Sequence, residues 1–207
     1  MILFVKTTAV LVIAYLLGSI PTALLVSTRI KHMDIRSVGD GNMGAVNIFH
    51  QIGQKFGVMV GVIDVVKGAL SVFLAYILGL HQGWQILAGI LVILGHDFPI
   101  FANFKGGQGA ATSLGTMLVL FPVPILIALI PCGIVFLIKR NSIITAIIGG
   151  ITIVLMLGIF HEWLLLGYAV VVFIFIPIKL LIDSPRRTAI ERAKVEKFNT
   201  RYSCRLS

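Results

Sequence analysis

Long apolar runs alternate along this chain with short stretches rich in glycine, asparagine and charge. The runs cover residues 9–27, 58–80, 84–104, 113–138, 143–160 and 163–182. A hydrocarbon core of ~30 Å takes about 20 helical residues to cross, so the pattern predicts membrane helices, six on a literal count. Two polar stretches stand out between them. One is GDGNMGAVN, residues 39–47, and the other is FANFKGGQGAATSLG, residues 101–115.

Composition agrees with the pattern. The 207 residues are 58% hydrophobic and 12% charged, with mean hydropathy +1.04. A soluble domain of this size lacks the interior to hide so much apolar surface. The expectation is an all-α polytopic membrane protein: a single integral membrane domain over residues 1–182 and a basic cytoplasmic tail over 183–207. The first run could pass for a signal peptide, but it ends in GSIPT and further spans follow, so it reads as a retained anchor. Cys132 lies in an apolar run and Cys204 in the tail, which argues against a disulfide framework.

Charge then changes the helix count. A formal charge of +9 would suggest a nucleic-acid partner in a soluble protein. In a membrane protein Lys and Arg collect in cytoplasmic loops instead, and no nucleic acid is expected. Of 17 Lys and Arg residues, 14 fall in four places: Arg29 to Lys55, Lys105, the pair Lys139 and Arg140, and the tail from Arg186 to Arg205. Six spans would put the Lys139 pair and the first basic loop on opposite faces. The fourth run contains Phe121-Pro122-Val123-Pro124, and proline stops helices and marks turns. A turn there gives seven spans, places all four basic clusters on the cytoplasmic face, and leaves the N-terminus outside and the tail inside.

That solution requires a short helix over residues 110–120. It would rise only ~17 Å at 1.5 Å per residue, too little to cross the bilayer. FKGGQG must then dip into the membrane as non-helical backbone, which is tolerated only where protein or a polar cavity shields it.

The polar stretches now gain chemical interest. In 39–47, glycines alternating with polar side chains permit positive-φ turns that aim successive N–H groups at one point, and Asn42 and Asn47 supply amides. The plainer explanation is a solvated loop. In the second stretch Gly106, Gly107 and Gly109 allow close backbone approach before Thr112 and Ser113 open a helix, with Lys105 alongside. A helix N-terminus is a ready anion site, although a tight interhelical turn explains the glycines as well, and no P-loop pattern is present. Asp64 and Lys67, three apart on one helical face, must pair or face a polar cavity. They fit a structural ion pair and a substrate contact equally. His96 precedes Asp97 and Pro99 on the approach to the second stretch, where a helix-clamping histidine is the commoner case.

No histidine has Asp or Glu five residues later, no Gly-x-Ser-x-Gly elbow occurs, and no metal-ligand cluster is visible. Any chemistry must rest on positioning and backbone donors, with no cofactor and no metal expected.

LGSIPTA at 17–23, DIRSVGDGNMGAVN at 34–47, DVVKG at 64–68, GHDFPIF at 95–101 and FKGGQGAAT at 104–112 follow in this order. Together they resemble the bacterial acyl-phosphate:glycerol-3-phosphate acyltransferases, the PlsY family, over roughly residues 10 to 145. The resemblance implies a seven-helix enzyme of the bacterial cytoplasmic (inner) membrane with an external N-terminus. It implies transfer of a fatty acyl group from long-chain acyl phosphate to the 1-hydroxyl of glycerol-3-phosphate, giving lysophosphatidic acid for phospholipid synthesis. Membrane lipids and an enzyme that makes acyl phosphate are the further expected partners. By this resemblance Asp40, Asn42 and Asn47 are candidate catalytic residues, with Asp40 orienting or deprotonating the attacking hydroxyl. Arg36, Gly39, Gly41, Gly44, His50, Lys67, His96, Lys105, Gly106, Gly107, Gln108, Gly109 and Thr112 are candidate substrate-binding residues.

This chain departs from the family pattern at four of the motif positions. Asp40 stands where the family has Ser, Val46 where it has Thr, His50 where it has Arg, and Gln108 where it has Lys. The tail also lacks the family's His/Arg–Glu–Asn pattern. Two other readings therefore stay open: a non-catalytic phosphate- or lipid-binding paralogue, and a small transporter built around Asp64 and Lys67.

Overall fold

A computed structural model describes residues 1–206, and among these there are helices, turns and no strand. The order is α1 (Ile2–Ser19), α2 (Thr22–Lys31), a 3-10 turn (Ile35–Ser37), α3 (Ala45–Gln51), α4 (Gln54–Ile77) and α5 (Gln82–Asp97). A second 3-10 turn (Ile100–Ala102) leads into α6 (Ala110–Leu120), α7 (Pro122–Lys139), α8 (Ser142–Ile159) and α9 (Trp163–Leu206). Among the described residues five stretches are long and apolar enough to cross a membrane: Ile2–Lys31, Gln54–Ile77, Gln82–Ala102, Pro122–Lys139 and Trp163–Ala193. Two shorter apolar helices, Ala110–Leu120 and Ile144–Ile159, complete a set of seven.

The divided fourth run is present as expected. Helix α6 spans only Ala110–Leu120, and Phe121 takes an extended φ of −147° before Pro122 opens α7. Proline suits a first helical position because its missing N–H would be unpaired there anyway. The first span differs from a simple rod. Pro21 cannot donate, and Ile20 before it is held extended (φ −62°, ψ 114°), so α1 ends at Ser19 and α2 starts at Thr22. The tail continues α9 as helix to Leu206, passing Pro177 and Pro185. Its sequence, rich in Arg, Ala, Glu and Lys, favours helix once the apolar part has nucleated it.

Small residues let the helices meet at backbone distance. A Cβ on Gly18 would strike the Val92 carbonyl, and one on Gly95 would strike the Tyr15 carbonyl, so α1 and α5 touch directly. Gly68 lies against the Thr112 carbonyl and Gly115 against the Val65 carbonyl, which joins α4 to α6 in the same way. This is the usual means of packing helices where lipid removes the hydrophobic drive for association. The main apolar core lies among α5 to α9, around Met117, Phe121, Ile125, Leu157, Leu165 and Val172. Large apolar residues elsewhere, such as Val62, Phe73, Ile130 and Leu181, face outward as lipid-facing residues must.

Contacts sort the helix ends into two faces. Lys6 donates to the Leu78 carbonyl, joining the start of α1 to the end of α4. At the opposite end Arg36 bonds Ala102, Lys179 sits over Phe98, and Arg187 lies near Asp40. Both polar stretches and the extension of α9 therefore gather at one face.

Candidate functional site

The first polar stretch is folded around one side chain. Asn47, 3% exposed at the start of α3, directs its amide Nδ2 to the carbonyls of Ile35 (3.2 Å), Val38 (3.1 Å) and Asn42 (2.9 Å). Gly39 and Gly41 turn the chain at φ 66° and 70°, in a region other residues rarely enter. Asp40 Oδ1 accepts the Asn42 N–H at 3.0 Å, which closes the turn. Asn42 is 7% exposed, and its Oδ1 has no hydrogen-bond partner among the described residues. Gly44 caps α3, and a Cβ there would press on the Asn42 amide. His50 is exposed and stacks edge-on against Phe49 at 5.5 Å.

Arg36 ties this loop to the second. Its Nε lies 3.0 and 3.1 Å from the two Asp34 oxygens, and its Nη2 lies 2.7 Å from Oδ2. Its Nη1 donates to the Ala102 carbonyl at 2.9 Å. Hydrogen bonding from Arg36, with burial opposing it, holds the Asp34 carboxyl below its ordinary value of 3.8. The same pairing raises Arg36.

The second stretch folds back on the end of α5. Gly106 N–H donates to the Asp97 carbonyl (3.2 Å) and Gly107 N–H to the His96 carbonyl (3.1 Å). A Cβ on Gly107 would land on His96 Nε2, so the imidazole packs on bare backbone. Gly109, at φ 69°, then opens α6. Two of the expected glycine donors are thus taken up by the end of α5. The donors that remain for an anion belong to the first turn of α6, whose N–H groups have no intrahelical partner by helix geometry. Around it, Gln108 Nε2, Thr112 Oγ1 and Ser113 Oγ are buried without hydrogen-bond partners among the described residues, while Lys105 is exposed.

Asp64 and Lys67 close the break in the first span. Lys67 Nζ is 2.9 Å from Asp64 Oδ1 and donates to the carbonyls of Gly18 (3.1 Å) and Ile20 (3.4 Å). Thr22 Oγ1 donates to Asp64 at 3.3 Å, and His96 Nδ1 lies 3.7 Å away. Two carbonyls at the Ser19–Thr22 interruption, those of Gly18 and Ile20, thereby gain a donor, and the ammonium is shared between them and Asp64.

Helix α9 brings residues that sequence reasoning passed over. Lys179, 1% exposed, pairs with Asp183 at 2.7 Å and lies 4.9 Å above the Phe98 ring. Asp97 is fully buried with both oxygens lacking hydrogen-bond partners among the described residues, and the charges of Lys179, Asp183 and Lys67 act on it. The signal was present in the chain: Lys179 is an ionisable residue inside an apolar run, with an acid four residues on. Among the described residues no group of three His, Cys, Asp or Glu side chains is placed to hold a metal ion.

Known proteins resemble this chain in both sequence and fold. Residues 8–192 match the family model for glycerol-3-phosphate acyltransferase. The chain is 51% identical over 115 residues to glycerol-3-phosphate acyltransferase 4 of Dehalococcoides mccartyi (strain CBDB1), covering 56% of this chain and 50% of that one. It spans about half the length of such Dehalococcoides relatives. Against the glycerol-3-phosphate acyltransferase of Endomicrobium trichonymphae identity is 38% over 182 residues, 88% of this chain and 89% of the other. A crystal structure of PlsY, an integral membrane glycerol 3-phosphate acyltransferase in its glycerol 3-phosphate form, superposes with TM-score 0.77 at 30% identity. That match covers 88% of this chain and 92% of PlsY. With the family model spanning nearly the whole chain and the helical fold shared, this multi-pass membrane protein belongs to the glycerol-3-phosphate acyltransferase family.

Proposed function

We propose that the chain transfers a fatty acyl group from a long-chain acyl phosphate to the 1-hydroxyl of glycerol-3-phosphate, giving lysophosphatidic acid. The observation that carries this reading is the meeting of two glycine turns at one face, joined by the Arg36–Ala102 bond. Both substrates carry phosphate, and one also carries a chain that must come from the bilayer. The hydroxyl oxygen attacks the acyl carbon and the bond from that carbon to the phosphate oxygen breaks. Phosphate leaves with the electron pair, and the hydroxyl proton passes to it or to solvent.

In this reading the first turn of α6, with Gln108, Thr112 and Lys105, holds one phosphate and stabilises charge developing on the carbonyl. Gly39, Gly41 and Asn42 line the position of the other. Asn47, Arg36 and His96 keep the two loops in register, and proximity of two held reactants supplies much of the rate. The site face is cytoplasmic, the N-terminus is external, and the membrane is the bacterial inner membrane. An enzyme that makes acyl phosphate supplies the donor.

The test is phosphate release from palmitoyl phosphate by the purified protein, with and without glycerol-3-phosphate, beside a Gln108→Lys variant. Lysophosphatidic acid formation that requires both substrates is expected, with Gln108→Lys raising kcat/KM by about tenfold, the scale of one charge-assisted hydrogen bond. If neither protein forms product while an intact relative does, the enzymatic reading falls and a binding role takes its place.

A further inference from the structure

The Gly39–Gly41 turn lies beneath helix α9. A Cβ added to Gly41 would strike Ile190 Cδ1 and would sit 3.7 Å from Arg186 Cγ. The Asp40 carboxylate at the tip of the turn is 3.9 Å from Arg187 Nη2. Arg186, one residue earlier, has its Nε and Nη2 buried without a hydrogen-bond acceptor among the described residues. Its Nη2 stands 3.5 Å from Asp183, whose Oδ2 also receives Lys179, and its field reaches Asp34.

A carboxylate inside a loop meant for anions is unfavourable unless something offsets it. Here the offset comes from the part of α9 beyond the apolar span. We propose that Asp40 and Arg187 form a latch that seats the α9 extension on the first glycine turn, with Ile190 as its apolar contact. Asp40 is thus a positioning residue rather than a base. Its carboxylate accepts the Asn42 N–H, and the guanidinium of Arg187 nearby offsets its charge. Seated in this way, α9 holds the side chain of Arg186 against the turn, with its Nε buried and without an acceptor among the described residues, and a guanidinium with a spare donor is well matched to a phosphate oxygen.

The kinetic half of this inference rests on the acyltransferase reading, so two measurements separate the ideas. In the full-length protein, Asp40→Arg and Arg187→Glu should each raise KM for glycerol-3-phosphate about three- to fivefold with a smaller change in kcat. The scale is that of a partly exposed ion pair. The exchanged pair, D40R with R187E, should return KM to within about twofold of the parent. Independently of any activity, a D40C/R187C variant made in a C132S/C204S background should cross-link in membranes with a short bifunctional thiol reagent that replaces the reach of the lost arginine side chain, whereas D40C/R192C should not. Single changes that leave KM untouched, or an exchanged pair no better than the worse single, would overturn the latch. So would failure of the D40C/R187C pair to cross-link in folded protein. An inactive parent whose D40C/R187C pair still cross-links would remove the acyltransferase reading and leave the seated helix intact.

Discussion

The Arg36 guanidinium donates to the Ala102 carbonyl at 2.9 Å across 66 residues of sequence. The rest of the same fork is filled by Asp34. One side chain thereby fixes the distance between two loops that are otherwise carried by different helices. Replacing it by alanine should lower kcat/KM by about ten- to hundredfold, since a hydrogen bond to a charged group contributes about 1.5–3 kcal/mol. Arg36→Lys should recover only part of this, because an ammonium cannot fork between a carboxylate and a carbonyl. Steady-state assay of lysophosphatidic acid formation checks both; full activity in Arg36→Ala would refute the tether.

The Asp34–Arg36 pair also carries a sign for its pH dependence. The Asp34 carboxyl is held below its ordinary value of 3.8, so its contribution is complete above that value and is lost as pH falls through the lower folded value. Hydrogen exchange at the Arg36 and Ser37 amides should therefore be protected equally at pH 5 and pH 7, after correction for intrinsic rates. Protection should fall only in stronger acid. Asp34→Asn should show the loosened pattern at every pH.

Lys67 gives a stability prediction. Removing the ammonium in Lys67→Met leaves Asp64 buried at 2% exposure and uncompensated, together with the carbonyls of Gly18 and Ile20. Breaking one partner of a buried pair costs about 3–5 kcal/mol. Unfolding in detergent micelles should show that loss, and Asp64→Asn added to Lys67→Met should recover a substantial part of it. A Lys67→Met protein as stable as the parent would mean that the break between α1 and α2 is held some other way.

Two glycines separate close packing from simple helix preference. Gly68→Val should cost at least about 1–3 kcal/mol by overpacking, because its Cβ meets the Thr112 carbonyl in the first turn of α6. Activity should fall with it, since the collision displaces an element of the site. Gly133→Ala meets open space and should be neutral or gain up to about 1 kcal/mol from helix preference. Thermal unfolding of the two variants side by side distinguishes these outcomes.

How far the chain could be read in advance depended on whether a signal was local. Helix α6 was legible because Pro122 and Pro124 sit inside an apolar run and the charge pattern demanded a turn there. The meeting of the two glycine stretches was legible from the same sidedness argument. The work done by Asn47 was not, because three carbonyl acceptors up to 12 residues away are a tertiary fact. Gly106 and Gly107 looked like anion donors, yet their N–H groups bond to the end of α5, a pairing that no spacing rule encodes. The extension of α9 shows in the sequence only as a basic tail, and the packing of Ile190 and Arg186 at Gly41 gives it a place at the site.

A helix of eleven residues cannot reach from one headgroup layer to the other. If its far end at Phe121 reaches one headgroup layer, its N-terminus starts beneath the other, inside the oil. On the proposed reaction this solves a problem of solubility. An amphiphile can slide in sideways without leaving the oil, while a small polar acceptor descends from the water, so each reactant arrives through the phase in which it already dissolves.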